Sequence, residues 1–179
     1  MTTPGPLALV GGDELHPGNE EQDRVLVEAA GDGPAYVVAT AAGRQRPELA
    51  VRHAVEWFAT LGLTVEELPA TKRSHATSAE NAERASRGRF FYLVGGDPGL
   101  VPKTLAGSPV WDAILAAWRG GAALAGNPTL TLTSDLFVNN TARNTGAPTQ
   151  CMVHGTGEGD LQFPGTHTVG GGMDALCTP

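Results

Sequence analysis

The stretch Val94-Gly95-Gly96-Asp97-Pro98-Gly99-Leu100 follows an apolar aromatic run, Phe90-Phe91-Tyr92-Leu93-Val94. Two glycines straight after a buried strand leave backbone N–H groups bare at a sheet edge. Fixed dipoles of that kind lower an acyl-transfer barrier by holding a developing oxyanion. Gly95, Gly96 and Asp97 are therefore the candidate oxyanion and substrate loop. The stretch lacks the G-K-[ST] ending of a phosphate-cradling loop and the GxGxxG spacing of a dinucleotide fold. Leu9-Val10-Gly11-Gly12-Asp13-Glu14 is a second strand-to-glycine junction. It reads either as backbone placed beside a ligand with acidic groups close by, or as a tight turn needing positive φ, and taken alone the turn is the better reading. In Thr40-Ala41-Ala42-Gly43-Arg44-Gln45-Arg46, small residues precede two arginines. Arg44 and Arg46 either face an anionic group or are solvated, and the sequence favours neither.

The histidines are His16, His53, His75, His154 and His167. None has metal-ligand spacing and no HExxH occurs, so no metal is assigned, and no cofactor motif is present. His53 reads as a structural helix residue and His75 as part of a polar linker. His154 and His167 lie late enough to serve as a base, but their Gly- and Thr-rich settings fit exposed loops. Cys151 and Cys177 form no CxxC, and spacing alone does not pair them.

Groups at strand ends need a sheet to hold them, and the chain supplies one. Leu7 to Val10, Ala35 to Ala39, Leu63 to Leu68, Phe90 to Val94 and Ala122 to Ala125 read as short strands, most of them fully apolar. Helices alternate with them. One follows Asn19 and stops at Gly31, a second opens at Pro47 and ends at Gly62, a polar third covers Ser78 to Ser86, and a fourth starts at Ser108-Pro109. Apolar strands alternating with helices mean a parallel sheet covered on both faces, with working groups at the strands' carboxyl ends. The expectation is an α/β fold of three layers over residues 7 to 126.

Composition changes after Gly126. The last lysine is Lys103, Arg143 is the only later arginine, and Thr, Gly and Asn become frequent. Thr129 to Thr133 alternates and reads as a half-wet strand; residues 139 to 179 read as loops or a mobile tail with little core. Residues 1–126 thus form one unit and 127–179 a divergent tail. Over the whole chain, hydrophobic residues are 41%, enough for a core, and the net charge of −7 disfavours nucleic acid as a partner. The N-terminus lacks a basic region and no apolar run is long enough for a membrane span, so a cytoplasmic protein is expected.

These pieces resemble the dipeptidase E and cyanophycinase group of serine peptidases. Leu9-Val10-Gly11-Gly12-Asp13-Glu14 with Pro17 to Asp23 resembles its GGGE…G-x-E-x-x-D opening. Trp57-Phe58-Ala59-Thr60-Leu61-Gly62-Leu63 resembles its long second helix, and Phe90 to Asp97 with Leu100 its F-x-G-G-x-x-x-x-L segment. The resemblance implies a flavodoxin-like sheet akin to class I glutamine amidotransferases, incomplete here at the C-terminus. It implies hydrolysis of peptide or isopeptide bonds by a serine, with a later histidine as base and no metal or cofactor. The partner implied is a small peptide, with no nucleic acid and no membrane, and a homodimer stays open. The serine belongs to a turn straight after the fifth strand. Here Gly126 is followed by Asn127-Pro128-Thr129-Leu130, so the nucleophile slot holds Pro128 and the catalytic residues are unknown. The sharp break favours a frameshift or fusion near codon 127 over a pseudoenzyme with a replaced C-terminal part.

Overall fold

A computed structural model describes residues 3–10 and 14–126, together with the backbone of four later strands. Five strands and six helices make up the first part: β1 (Leu7–Val10), α1 (Glu20–Ala30), β2 (Ala35–Val38), α2 (Pro47–Thr60), β3 (Glu66–Glu67), α3 (Arg73–Ala76), α4 (Ala79–Ser86), β4 (Phe90–Leu93), α5 (Leu100–Leu105), α6 (Pro109–Arg119) and β5 (Ala123–Gly126). The later strands are β6 (Gln150–Gly155), β7 (Leu161–Gln162), β8 (Thr168–Val169) and β9 (Met173–Leu176).

The main sheet runs β3-β2-β4-β5-β1-β6-β9. β1 to β5 are all parallel, and β4 lies inside the sheet, paired with β2 on one side and β5 on the other. Alternate residues of each strand feed two separate cores, as the twofold period of a strand requires. Ala8, Val10, Val37, Phe90, Tyr92 and Ala125 pack with Leu26 of α1 and Ala54 and Phe58 of α2. Leu9, Tyr36, Val38, Phe91, Leu93 and Leu124 pack with Leu105 of α5 and Val110, Ile114 and Trp118 of α6. The three-layer α/β architecture is thus the one the alternation implies.

The helix ends follow local chemistry. Ser78 and Ser108 lie just before α4 and α6, and their hydroxyls accept the N–H of Asn81 and Trp111. Pro47 and Pro109 occupy first-turn positions where a missing N–H costs nothing. Gly31 ends α1 at φ 60°.

Three expectations need correction. The third strand is not Leu63 to Leu68 but the two residues Glu66 and Glu67, paired with Tyr36 and Val37. It sits at the sheet edge with both glutamates exposed, and charge on a short edge strand deters further pairing. The linker around His75 contains α3, and the stretch after Gly99 contains α5; each is too short to show a helical period. Residues 139–179 are not loops alone: β6 pairs parallel with β1 at Leu9↔Val153 and Val10↔His154, and β9 pairs antiparallel with β6. The sheet therefore continues past β1. Thr129 to Thr133 and Cys177 lie outside the described residues.

Candidate functional site at the β4 turn

The chain passes from β2 outward to β3 and then returns to β4 on the other side of β2. The crevice where direction reverses, at the carboxyl ends of β2 and β4, is where such sheets bind ligands. The turns after both strands meet there. Asp97 donates its N–H to the Ala41 carbonyl at 2.8 Å, and the Asp97 carboxylate accepts the Gly99 N–H at 2.9 Å. Gly96 is needed at its position for two reasons. Its φ is +147°, and a Cβ there would lie 2.4 Å from the Ala41 carbonyl oxygen.

Gly95 has a different neighbour. Its N–H donates to Glu14 Oε1 at 2.5 Å. The candidate loop residues Gly95, Gly96 and Asp97 are therefore brought together, but the Gly95 donor is not bare as expected. Sequence spacing could not show this, because the acceptor comes from 81 residues away. β5 lies between β1 and β4, so a side chain from the β1 loop that reaches the β4 turn must pass the end of β5. Leu15 beside Glu14 has φ 59°, a conformation a leucine adopts only under constraint. Its side chain packs against the core shared by α1 and α2.

An open cleft of about 500 Å³ lies next to this contact. Glu14, Leu15 and His16 form one wall; His53, Glu56 and Trp57 of α2 form the other; Val94 and Gly95 are at the base. Burial raises the Glu14 carboxyl above its ordinary range, opposed by the Gly95 hydrogen bond and by His16. Behind the cleft wall, the indole N–H of Trp57 donates to Asp23 Oδ2 at 2.7 Å. Asp23 is fully buried, and its other oxygen has no partner. Desolvation pushes its pKa up to about 6, against the Trp57 hydrogen bond and with a further push from Glu20. The Tyr92 hydroxyl is also buried without a partner, and burial raises its pKa well above normal, with Asp23 and Glu14 adding to the effect. The sequence reading quoted Glu14, Asp23 and Trp57 within its motifs but did not bring them together beside the β4 turn.

The remaining candidates separate. Arg44 lies 4.0 Å from Asp97 and both are substantially exposed, so the pair is solvent-screened, while Arg46 is exposed before α2. His75 is half-buried, with Nδ1 3.4 Å from the Thr71 hydroxyl. His154 lies in β6 rather than in a loop, its backbone opposite Val10. His167 and the nucleophile slot at Pro128 lie outside the described residues. No group of three His, Cys, Asp or Glu able to hold a metal occurs among the described residues. Nor is any helix among them long and apolar enough to cross a membrane.

No family model and no curated protein matches the chain. Among solved structures, it is similar to the crystal structure of a peptidase from an acI-B1 Actinobacterium, with a TM-score of 0.66 and 32% identity across 70% of this chain. The match spans 55% of that peptidase's length, so the chain corresponds to part of it. The fold is accordingly peptidase-like.

Proposed function

We propose that residues 7 to 126 form the cleft-bearing part of a peptidase-like hydrolase, of the serine type found in the dipeptidase E and cyanophycinase group. The observation that carries this reading is the β4 turn: Gly95 and Gly96 stand at the topological switch point, one strand from the end of β5, beside an open cleft. The likeness to a solved peptidase supports the same reading at 32% identity. In that group the turn after β5 would present the nucleophile; here the cleft takes a small peptide, in the cytoplasm and without a metal or cofactor.

The chain as written is proposed to be inactive. Serine chemistry needs a nucleophile, a base in hydrogen-bond reach and an oxyanion donor. Pro128 offers no nucleophile, and it has no N–H to donate. Loss of the nucleophile from such an assembly costs several orders of magnitude in rate. A second reading, a non-catalytic binding protein, draws on the same residue.

Three measurements on the 179-residue protein test these readings. The expected outcomes are that no Asp- or Glu-containing dipeptide is hydrolysed above background and that a fluorophosphonate probe leaves every serine unlabelled. The same dipeptides shift the amide resonances of Gly95 and Trp57. Stoichiometric labelling of Ser134 or another serine would overturn the inactive reading. Resonances that stay fixed at saturating peptide would overturn the peptide cleft.

A further inference from the structure

We propose that the Gly95 amide is the anchor of a carboxylate-binding site in the cleft, and that Glu14 occupies it as an internal ligand which an incoming small carboxylate must displace. The inference stands without the peptidase reading, since it concerns binding alone.

Four observations carry it. First, the contact is a carboxylate oxygen on a backbone N–H, the charge-assisted form of the bond, so the position already demonstrates affinity for this chemical group. Second, the residue at the anchor is fitted to its ligand. A Cβ at position 95 would lie 2.7 Å from Glu14 Oε1 and 3.1 Å from Oε2. Only glycine lets a carboxylate approach this closely. Third, the contact is not sealed in the core. Glu14 and Gly95 are both half-buried and both line the open cleft, which gives a ligand a route in and Glu14 a route out. Fourth, Leu15 beside Glu14 has φ 59° and packs against the core of α1 and α2, which fixes where the loop delivers the carboxylate.

The charges around the anchor set its selectivity. His16 on the β1 loop and His53 on α2 line the cleft and offer ring N–H donors to a ligand, whereas Glu56 on α2 opposes a second negative charge. Asp23 of α1 and Tyr92 of β4 are buried behind the wall. This distribution suits a monocarboxylate better than a dicarboxylate.

The probe is sodium acetate, titrated against sodium chloride at matched ionic strength, with the Gly95 amide proton followed by NMR. In the unaltered protein that proton is expected far downfield, and acetate moves it little. In Glu14→Ala the proton moves upfield and acetate returns it downfield, with apparent binding at least about tenfold tighter than in the unaltered protein, the equivalent of one lost charge-assisted hydrogen bond. Glu14→Gln, which keeps an acceptor on the loop, falls between the two and serves as the readout if the alanine variant does not fold. Acetate binding equal in all three proteins would overturn the proposal, as would chloride acting as well as acetate. An amide proton unmoved by acetate in both variants would assign Glu14 a purely structural role.

Discussion

Asp23→Asn should stabilise this protein at pH 8, although it removes a charge from the first turn of a helix, where a negative charge is normally favourable. Asp23 is fully buried, one carboxylate oxygen has no partner, and its pKa is raised from 3.8 to about 6. A carboxyl whose folded-state pKa lies above its unfolded value holds its proton more tightly when folded. Its favourable contribution is complete below pH 3.8 and is lost as pH rises through about 6. At 1.36 kcal/mol per pH unit, ionising the buried group costs up to about 3 kcal/mol. Asparagine keeps an oxygen to accept the Trp57 indole N–H and carries no charge. The net gain expected at pH 8 is roughly 1–3 kcal/mol, the lower figure allowing for a weaker hydrogen bond to a neutral acceptor. Urea unfolding followed by tryptophan fluorescence measures it, and the variant-minus-wild-type difference cancels the other carboxylates. That difference should shrink towards zero at pH 4. A destabilised variant at pH 8, or a difference that does not change with pH, would refute the argument and mean that Asp23 is ionised and satisfied in the folded protein.

Other substitutions probe the layers beneath the site. Phe58 is fully buried, with edge-on ring contacts to Phe90 and Tyr92 at 5.0 Å each, so Phe58→Ala should cost about 3–5 kcal/mol in the same urea assay. Ser108→Ala removes the hydroxyl that accepts the Trp111 N–H at 3.2 Å, and the midpoint should fall by the equivalent of about 1 kcal/mol. Gly96→Ala should destabilise by roughly 1–3 kcal/mol, because the added methyl meets the Ala41 carbonyl and the backbone must leave φ +147°. Thermal unfolding indistinguishable from the parent would show that the β2 and β4 turns are not locked together.

The strands most deeply buried were the easiest to read. Phe90 to Val94 is apolar at every position because β4 is covered on both faces, and helix punctuation at Pro47, Ser78 and Ser108 comes from residues whose side chains or ring geometry act locally. Where the pattern failed, the determinant was not local. β3 is two residues long because it borders β2 alone, and α3 is held by Arg73, whose guanidinium donates to the carbonyls of Thr104, Ala106 and Gly107 across the fold. The Gly-rich turn after β4 was legible as a site for the same local reason as the caps. Its occupant was not, because Glu14 reaches it from a loop 81 residues distant.

That long-range contact changes what the glycine pair means. As a sequence, Gly95-Gly96 offers two equivalent backbone donors; in the fold the two glycines do different work. Gly96 exists because the backbone of the β2 turn leaves no room for a side chain, so it fixes the position of the loop. Gly95 lets the Glu14 carboxylate lie close to the backbone, where a Cβ would push that flexible side chain back. The first role survives any change in the residues after Gly126, since it depends only on β2 and β4. The second depends on Glu14 reaching the β4 turn from the loop after β1. Under the proposed hydrolase reading, an oxyanion on the Gly95 N–H would compete with Glu14 for one donor.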